Sequence, residues 1–288
     1  MKFSGHKKQY EYFLKVEKAM SPNTVSAYCS DLQEFFDAVD LPAEEVASED
    51  ILSFFGSIDV TGRSQARMLS SFRSFFGWMQ LEKLREDNPA ENVDFPKLGR
   101  YIPVVLSEEE VEAIIDSVDL SSWTGLRDRA ILEVLYGCGL RVSEATGLRI
   151  GDLYIKEGFL TVIGKGDKQR MVPLGESAQD ALNDYIEKRP CPHPGFGDIV
   201  FLNRFGKSLS RISVFNIVKR QAVAAGVHKE ISPHTFRHSF ATHLIENGAD
   251  LRVVQEMLGH ENILTTEIYT HIESGTWQRD ILSNHPDK

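Results

Sequence analysis

With 288 residues, 42% hydrophobic and 26% charged, the chain has the composition of a folded globular protein with room for two domains, which excludes disordered, fibrous and membrane-embedded classes. It has no run of about 18 apolar residues, residues 1–10 are polar and basic, and Cys29, Cys138 and Cys191 lack C-x-x-C spacing, so a cytoplasmic protein with reduced thiols and no membrane partner is expected. The formal net charge of -10 opposes bulk attraction to nucleic acid, yet the sign is segregated: residues 31–59 carry only acidic charges, and residues 201–229 only basic ones.

Residues 1–88 read as four helices. Ser21-Pro22 supplies an N-cap followed by proline at the first helical position, and Val25, Tyr28, Leu32, Phe35, Phe36 and Val39 recur at helical spacing. A third helix is expected from a cap at Ser48-Glu49-Asp50. A long one is expected from Gly62 to Leu84, with an apolar stripe of Leu69, Phe72, Phe75, Phe76 and Met79. Arg63, Arg67 and Arg73 on that helix are candidate backbone-phosphate contacts. Pro89, Pro96 and Pro103, with Gly99 and Arg100 between, make residues 89–103 a linker and a domain boundary.

Past the linker, Ser107-Glu108-Glu109-Glu110 forms a capping box, and residues 126–136 a helix that ends at Gly137-Cys138-Gly139. Residues 159–163 and 169–174 are strand-like runs on either side of a glycine-bearing turn, Gly164-Lys165-Gly166-Asp167-Lys168, which predicts a hairpin. From about Ser177 helices are expected to the end. Arg204, Lys207, Arg211, Lys219 and Arg220 in the basic stretch are further candidates for a phosphate-tracking surface, against the plainer reading of a solvated helix face.

Four places carry possible chemistry. Arg141 follows a glycine break and opens a helix with Glu144 on the same face, which suits either a surface ion pair or a guanidinium held on a phosphate. Lys165 sits at the hairpin tip without a Walker A pattern, so no nucleotide loop is expected. In Ser232-Pro233-His234-Thr235-Phe236-Arg237-His238, an imidazole and a cation share one face near a helix N-terminus, where anions are favoured. His234, His238 and His243 also have the spacing of metal ligands, but Arg237 would repel a cation and no nearby carboxylate or thiol completes a set. Tyr269, nine residues after His260, needs nearby cations to act as a nucleophile, because its ordinary pKa is about 10.

In this order, Arg141, Lys165, His234 with Arg237, Leu258-Gly259-His260 and Tyr269 resemble the catalytic set of the tyrosine recombinases and integrases. The stretch HTFRHSFATHLIENGADLRVVQEMLGHENILTTEIYTHI, from His234 to Ile272, is similar to that of the bacterial Xer recombinases. The likeness spans essentially the whole chain. It implies a mainly α fold with a small β-sheet: a four-helix, SAM-like core-binding domain over residues 1–88, then a mixed α/β catalytic domain over 104–288.

It further implies that Tyr269 attacks a scissile phosphate to give a 3'-phosphotyrosine and a 5'-hydroxyl. Arg141 and Arg237 would neutralise the non-bridging oxygens, His260 would add a hydrogen bond and Glu144 would hold Arg141. Lys165 would protonate the leaving oxygen and His234 would assist proton transfer at Tyr269, with no metal or cofactor required. The partners implied are double-stranded DNA and a homo- or hetero-tetramer with a related recombinase on two DNA sites. A C-terminal helix over about 273–283 would be exchanged between subunits, and a septal DNA translocase could take part. A first helix starting close to Met1 leaves no arm-binding domain before it, which favours chromosome or plasmid dimer resolution over inversion or integration.

Overall fold

The structure is a computed structural model in which residues 3–95, 104–164 and 169–259 are described, and it divides into two compact units, Met1–Tyr101 and Ile102–Lys288. The first unit contains α1 (Phe3–Tyr12), continued by a π-helical turn at Phe13–Glu17, then α2 (Pro22–Val39), α3 (Ser48–Ser57) and α4 (Gly62–Leu81). Ser21 caps α2 by accepting from the Thr24 N–H, and Pro22 takes the first helical position. The α3 cap is Ala47, one residue earlier than expected, because the Asp50 carboxylate accepts the Ala47 N–H at 2.8 Å. The stripe on α4 faces inward: Leu69, Phe72, Phe75, Phe76 and Met79 are fully buried, with the Phe35 and Phe72 ring centres 4.7 Å apart.

Helix α4 ends three residues before its expected limit. Lys83 adopts a left-handed conformation (φ 57°), Leu84 N–H reaches the Met79 carbonyl and Lys83 N–H the Gln80 carbonyl, a Schellman closure made without the usual glycine. The chain then folds back on the first unit: Ala90 and Val93 join its core, so the first residues of the expected linker are packed rather than extended.

The second unit contains α5 (Glu108–Asp116), α6 (Trp123–Gly137), α7 (Val142–Gly147), β1 (Leu153–Tyr154), β2 (Phe159–Ile163), β3 (Gln169–Pro173), α8 (Glu176–Lys188), α9 (Arg211–Ala224), α10 (Pro233–Glu246) and α11 (Leu251–Leu258). Ser107 and Glu110 close the expected capping box of α5. Helix α6 is buried on every side from Ala130 to Gly137, which makes it the axis of this unit, packed by α8 and α10.

Strands β2 and β3 pair antiparallel with Ile163 opposite Gln169, as the hairpin pattern predicts, and β1 adds a short third strand in the order β1-β2-β3. The helices do not run without interruption from Ser177: residues 189–210 form loops closed by the bridges Arg149–Ile199 and Leu202–Ser208. None of the described helices is long and apolar enough to cross a membrane. Lys165, His260, Tyr269 and the helix expected over 273–283 lie outside the described residues.

Candidate active site

Cys138 ends α6, and Gly139 follows with φ 57°. A side chain at Gly139 would meet Phe240 and Leu258 at 2.8 and 2.9 Å, so both the conformation and the close approach require glycine. The turn delivers Arg141 to the N-cap of α7, where its N–H donates to the Glu144 carboxylate at 2.8 Å and its Nη1 donates to the same carboxylate at 2.9 Å. Glu144, its side chain only 4% exposed, is the centre of the site. From β3, Arg170 donates through Nη1 and Nη2 to the two Glu144 oxygens at 2.8 and 2.9 Å, a bidentate fork. From α10, Arg237 brings its Nη1 to 4.0 Å from the carboxylate.

The same three guanidiniums hold the C-terminal end of α11. Arg170 Nε donates to the Met257 carbonyl at 2.7 Å, Arg237 Nη2 to the Leu258 carbonyl, and Arg141 Nη2 to the Gly259 carbonyl at 2.9 Å. A helix C-terminus leaves carbonyls without partners and carries partial negative charge, so cations belong there. Gly259 closes the helix at φ 65°, directly before His260. Arg237 also donates to the Gly139 carbonyl at 2.5 Å, which fixes the turn that presents Arg141.

Burial works to raise the Glu144 carboxyl, but the hydrogen bonds from Arg170 and from the Arg141 N–H, with the Arg170 charge, outweigh it and hold the group below the ordinary carboxylate range. Burial first, and the neighbouring Arg141 charge second, pull Arg237 down to about 10. It remains a cation at neutral pH. Three cations on one anion leave two positive charges in excess, a field suited to an anion of that charge.

The structure thus brings together Arg141, Glu144 and Arg237, and adds Arg170, which the sequence reading missed. Its signal was an arginine in strand register with buried Val172 and Leu174, on the inward face where a charge is rarely placed without a partner. His234 stands at the second position of α10, exposed, one turn before Arg237. Ser232 is the N-cap, but the bond is made in reverse: its N–H donates to the Thr235 hydroxyl at 3.0 Å. The histidines do not gather for a metal, since His243 is buried with its ring on the Tyr136 hydroxyl at 2.9 Å. Among the described residues no group of three His, Cys, Asp or Glu is placed to hold one.

The candidate phosphate contacts divide. Arg73 is engaged within its own unit: it donates to the carbonyls of Ala90, Glu91 and Val93 and lies 4.3 Å from the Phe95 ring centre. Arg67 pairs with buried Asp31, and Arg63 is exposed. On the second unit Arg204, Lys207, Arg211, Lys219 and Arg220 are all exposed. Of these, Arg204 and Lys219 lie over Phe205 and Phe215, and Arg220 is paired with Asp128.

Residues 104–275 match the phage integrase family model and residues 8–83 the phage integrase N-terminal SAM-like domain. The tyrosine recombinase XerD of Chlorobaculum tepidum is 45% identical over 95% of this chain and 94% of its own length, and that of Listeria innocua is 44% identical over 91% and 92%. In fold, the chain is similar to a lambda integrase fragment, a dimer bound to a COC' core site, with a TM-score of 0.72 at 21% identity over 93% of this chain and 100% of that one. XerH recombinase bound to a difH substrate gives 0.69 at 23% identity over 92% and 82%. The chain belongs to the phage integrase family. Within it the chain is a site-specific tyrosine recombinase of the Xer type.

Proposed function

We propose that this recombinase uses Tyr269 as its nucleophile, with Arg141, Lys165, His234, Arg237 and His260 as its other catalytic residues and Glu144 as the anchor of the arginines. The observation that carries this reading is the convergence of Arg141, Arg170 and Arg237 on one buried carboxylate with two positive charges to spare. The Tyr269 oxygen attacks the scissile phosphorus while the bond to the 5'-oxygen breaks. The phenol proton leaves through His234, and Lys165 gives a proton to the departing oxygen. The product is a 3'-phosphotyrosyl link and a free 5'-hydroxyl, and attack by another strand's 5'-hydroxyl reverses each step. Phosphodiester count is conserved, so no nucleotide is consumed. Arg141 and Arg237 stabilise the charge that grows on the non-bridging oxygens.

The substrate in this reading is double-stranded DNA, bound through phosphates by the exposed arginines and lysines of α4 and α9. The assembly is a tetramer on two sites, homomeric or shared with a related recombinase, with the segment over 273–283 exchanged between neighbours. The role is chromosome or plasmid dimer resolution in the cytoplasm, with a septal DNA translocase as the activating partner. Relatives that bear the XerD name across nearly their full length support that role over inversion or integration.

The test is a nicked duplex suicide substrate, taken from a randomised inverted-repeat library by binding to Tyr269→Phe protein, incubated with wild type in EDTA. A covalent adduct on denaturing gels that is lost in Tyr269→Phe is expected. Tight binding without an adduct would sink the assignment and favour a DNA-binding protein that cuts only with a partner or not at all. Chelator sensitivity would point instead to a metal-dependent nuclease.

A further inference from the structure

We infer that Arg170 is a positioning residue for strand cleavage: it neutralises Glu144, so that Arg141 and Arg237 keep their full charge for the phosphate, and it locks the hairpin strand to the end of α11. The inference rests on the proposed roles of Arg141 and Arg237. Arg237 is equally buried, at 9% exposed, with Nη1 and Nη2 on the Gly139 and Leu258 carbonyls, but Arg170 alone spends a bidentate fork on the carboxylate. All three of its nitrogens are used inside the protein, two on the Glu144 oxygens and one on the Met257 carbonyl, and its side chain is 8% exposed, against 32% for Arg141.

The charge count follows from this geometry. Glu144 alone would cancel one of the two arginines that face the substrate. A bidentate fork at 2.8 and 2.9 Å gives that carboxylate its own counter-ion, so Arg141 and Arg237 retain two positive charges. The pentacovalent transition state of a phosphodiester carries two negative charges, one more than the ground state. A site that keeps both cations therefore favours the transition state over the bound substrate.

The mechanical part is independent of charge. β3 begins four residues after Lys165 in sequence, and Gly259 is the residue before His260. A side chain at Gly259 would lie 3.3–3.5 Å from the Arg170 guanidinium and Cδ, so the left-handed turn is packed directly on this arginine. One side chain thereby sets the spacing between β3, α7 and the residue from which His260 departs.

The test uses full-length protein and the same suicide duplex, with single-turnover cleavage measured from pH 5 to 9. Arg170→Met is expected to lose roughly 100-fold in cleavage, the scale for a lost charge-stabilising donor. Its rate should climb as pH falls and Glu144 takes up a proton, a trend wild type lacks. Arg170→Met with Glu144→Gln should recover about tenfold or more of that loss and lose the acid-side rise, because the uncompensated charge is gone. Arg170→Lys, which keeps the charge without the fork, should fall between wild type and Arg170→Met, and guards against a methionine variant that fails to fold.

Cleavage by Arg170→Met within about threefold of wild type, or a double variant no faster than the single one, would overturn the inference while leaving the nucleophile assignment intact. No adduct from wild type would overturn that assignment, and the inference with it.

Discussion

The two units solve the same problem, holding helices together, by opposite means. In the first, Phe35, Phe36, Phe72, Phe75 and Phe76 interlock, and charged groups meet in isolated pairs such as Arg67 with Asp31. In the second, an apolar core around α6 carries at its edge three arginines and one glutamate that bind each other and four backbone carbonyls. Apolar packing is non-directional, tolerant and cheap to specify. A buried charge cluster is costly to assemble and contributes little net stability, which supports the catalytic role proposed for its arginines.

The largest effects should come from breaking one member of each core. Phe72→Ala and Glu144→Ala are each expected to destabilise by about 3–5 kcal/mol, the first by leaving a cavity and the second by leaving three arginines without their anion. The comparison lies in what else changes. Below its lowered melting temperature Phe72→Ala should cleave at close to the wild-type rate, whereas Glu144→Ala should lose cleavage wherever it is folded. Equal stability losses with equal rate losses would show that the cluster is merely part of the core.

Acid sharpens the same contrast. Glu144 is held below the ordinary carboxylate range, so its contribution is fully present above the unfolded value of about 4.3 and is lost as pH falls through the lower, folded value. Urea melts of wild type and Glu144→Gln should therefore differ by a constant amount from pH 7 to about 5 and converge below about pH 4. A gap that persists unchanged at pH 3 would assign the loss to packing instead of charge.

How legible each region was in the sequence follows from the same distinction. The α4 stripe could be read because Leu69, Phe72, Phe75, Phe76 and Met79 recur at the helical period, and periodicity is all that such packing needs. The end of α4 could not, since Lys83 takes a left-handed turn where glycine is the usual signal. At the site, Arg141 with Glu144 and His234 with Arg237 were visible as neighbours at helical spacing, and the order of the set gave the family. Arg170 was not, because its partners Glu144 and Met257 lie 26 and 87 residues away and no local rule links them. Arg73 is a second case: its helix position suggested a surface cation, and only the fold shows it donating to the carbonyls of Ala90, Glu91 and Val93.

That difference between arginines sets the two smallest predictions. Arg73→Met should cost about 1 kcal/mol or somewhat more, since the part-buried carbonyls of Ala90 and Val93 lose their donor, with no change in how DNA binding responds to salt. Arg220 is 61% exposed and 2.5 Å from Asp128, which is buried but keeps Arg127 as a second partner, so a change to alanine should cost only about 1 kcal/mol. If α9 tracks phosphates as proposed, the same change should flatten the plot of log affinity against log salt by roughly one contact. An Arg220→Ala protein with an unaltered salt slope would leave this arginine as the counter-ion of Asp128 alone. The phosphate surface would then have to be sought among Arg204, Lys207, Arg211 and Lys219, none of which is paired with a carboxylate within the described residues.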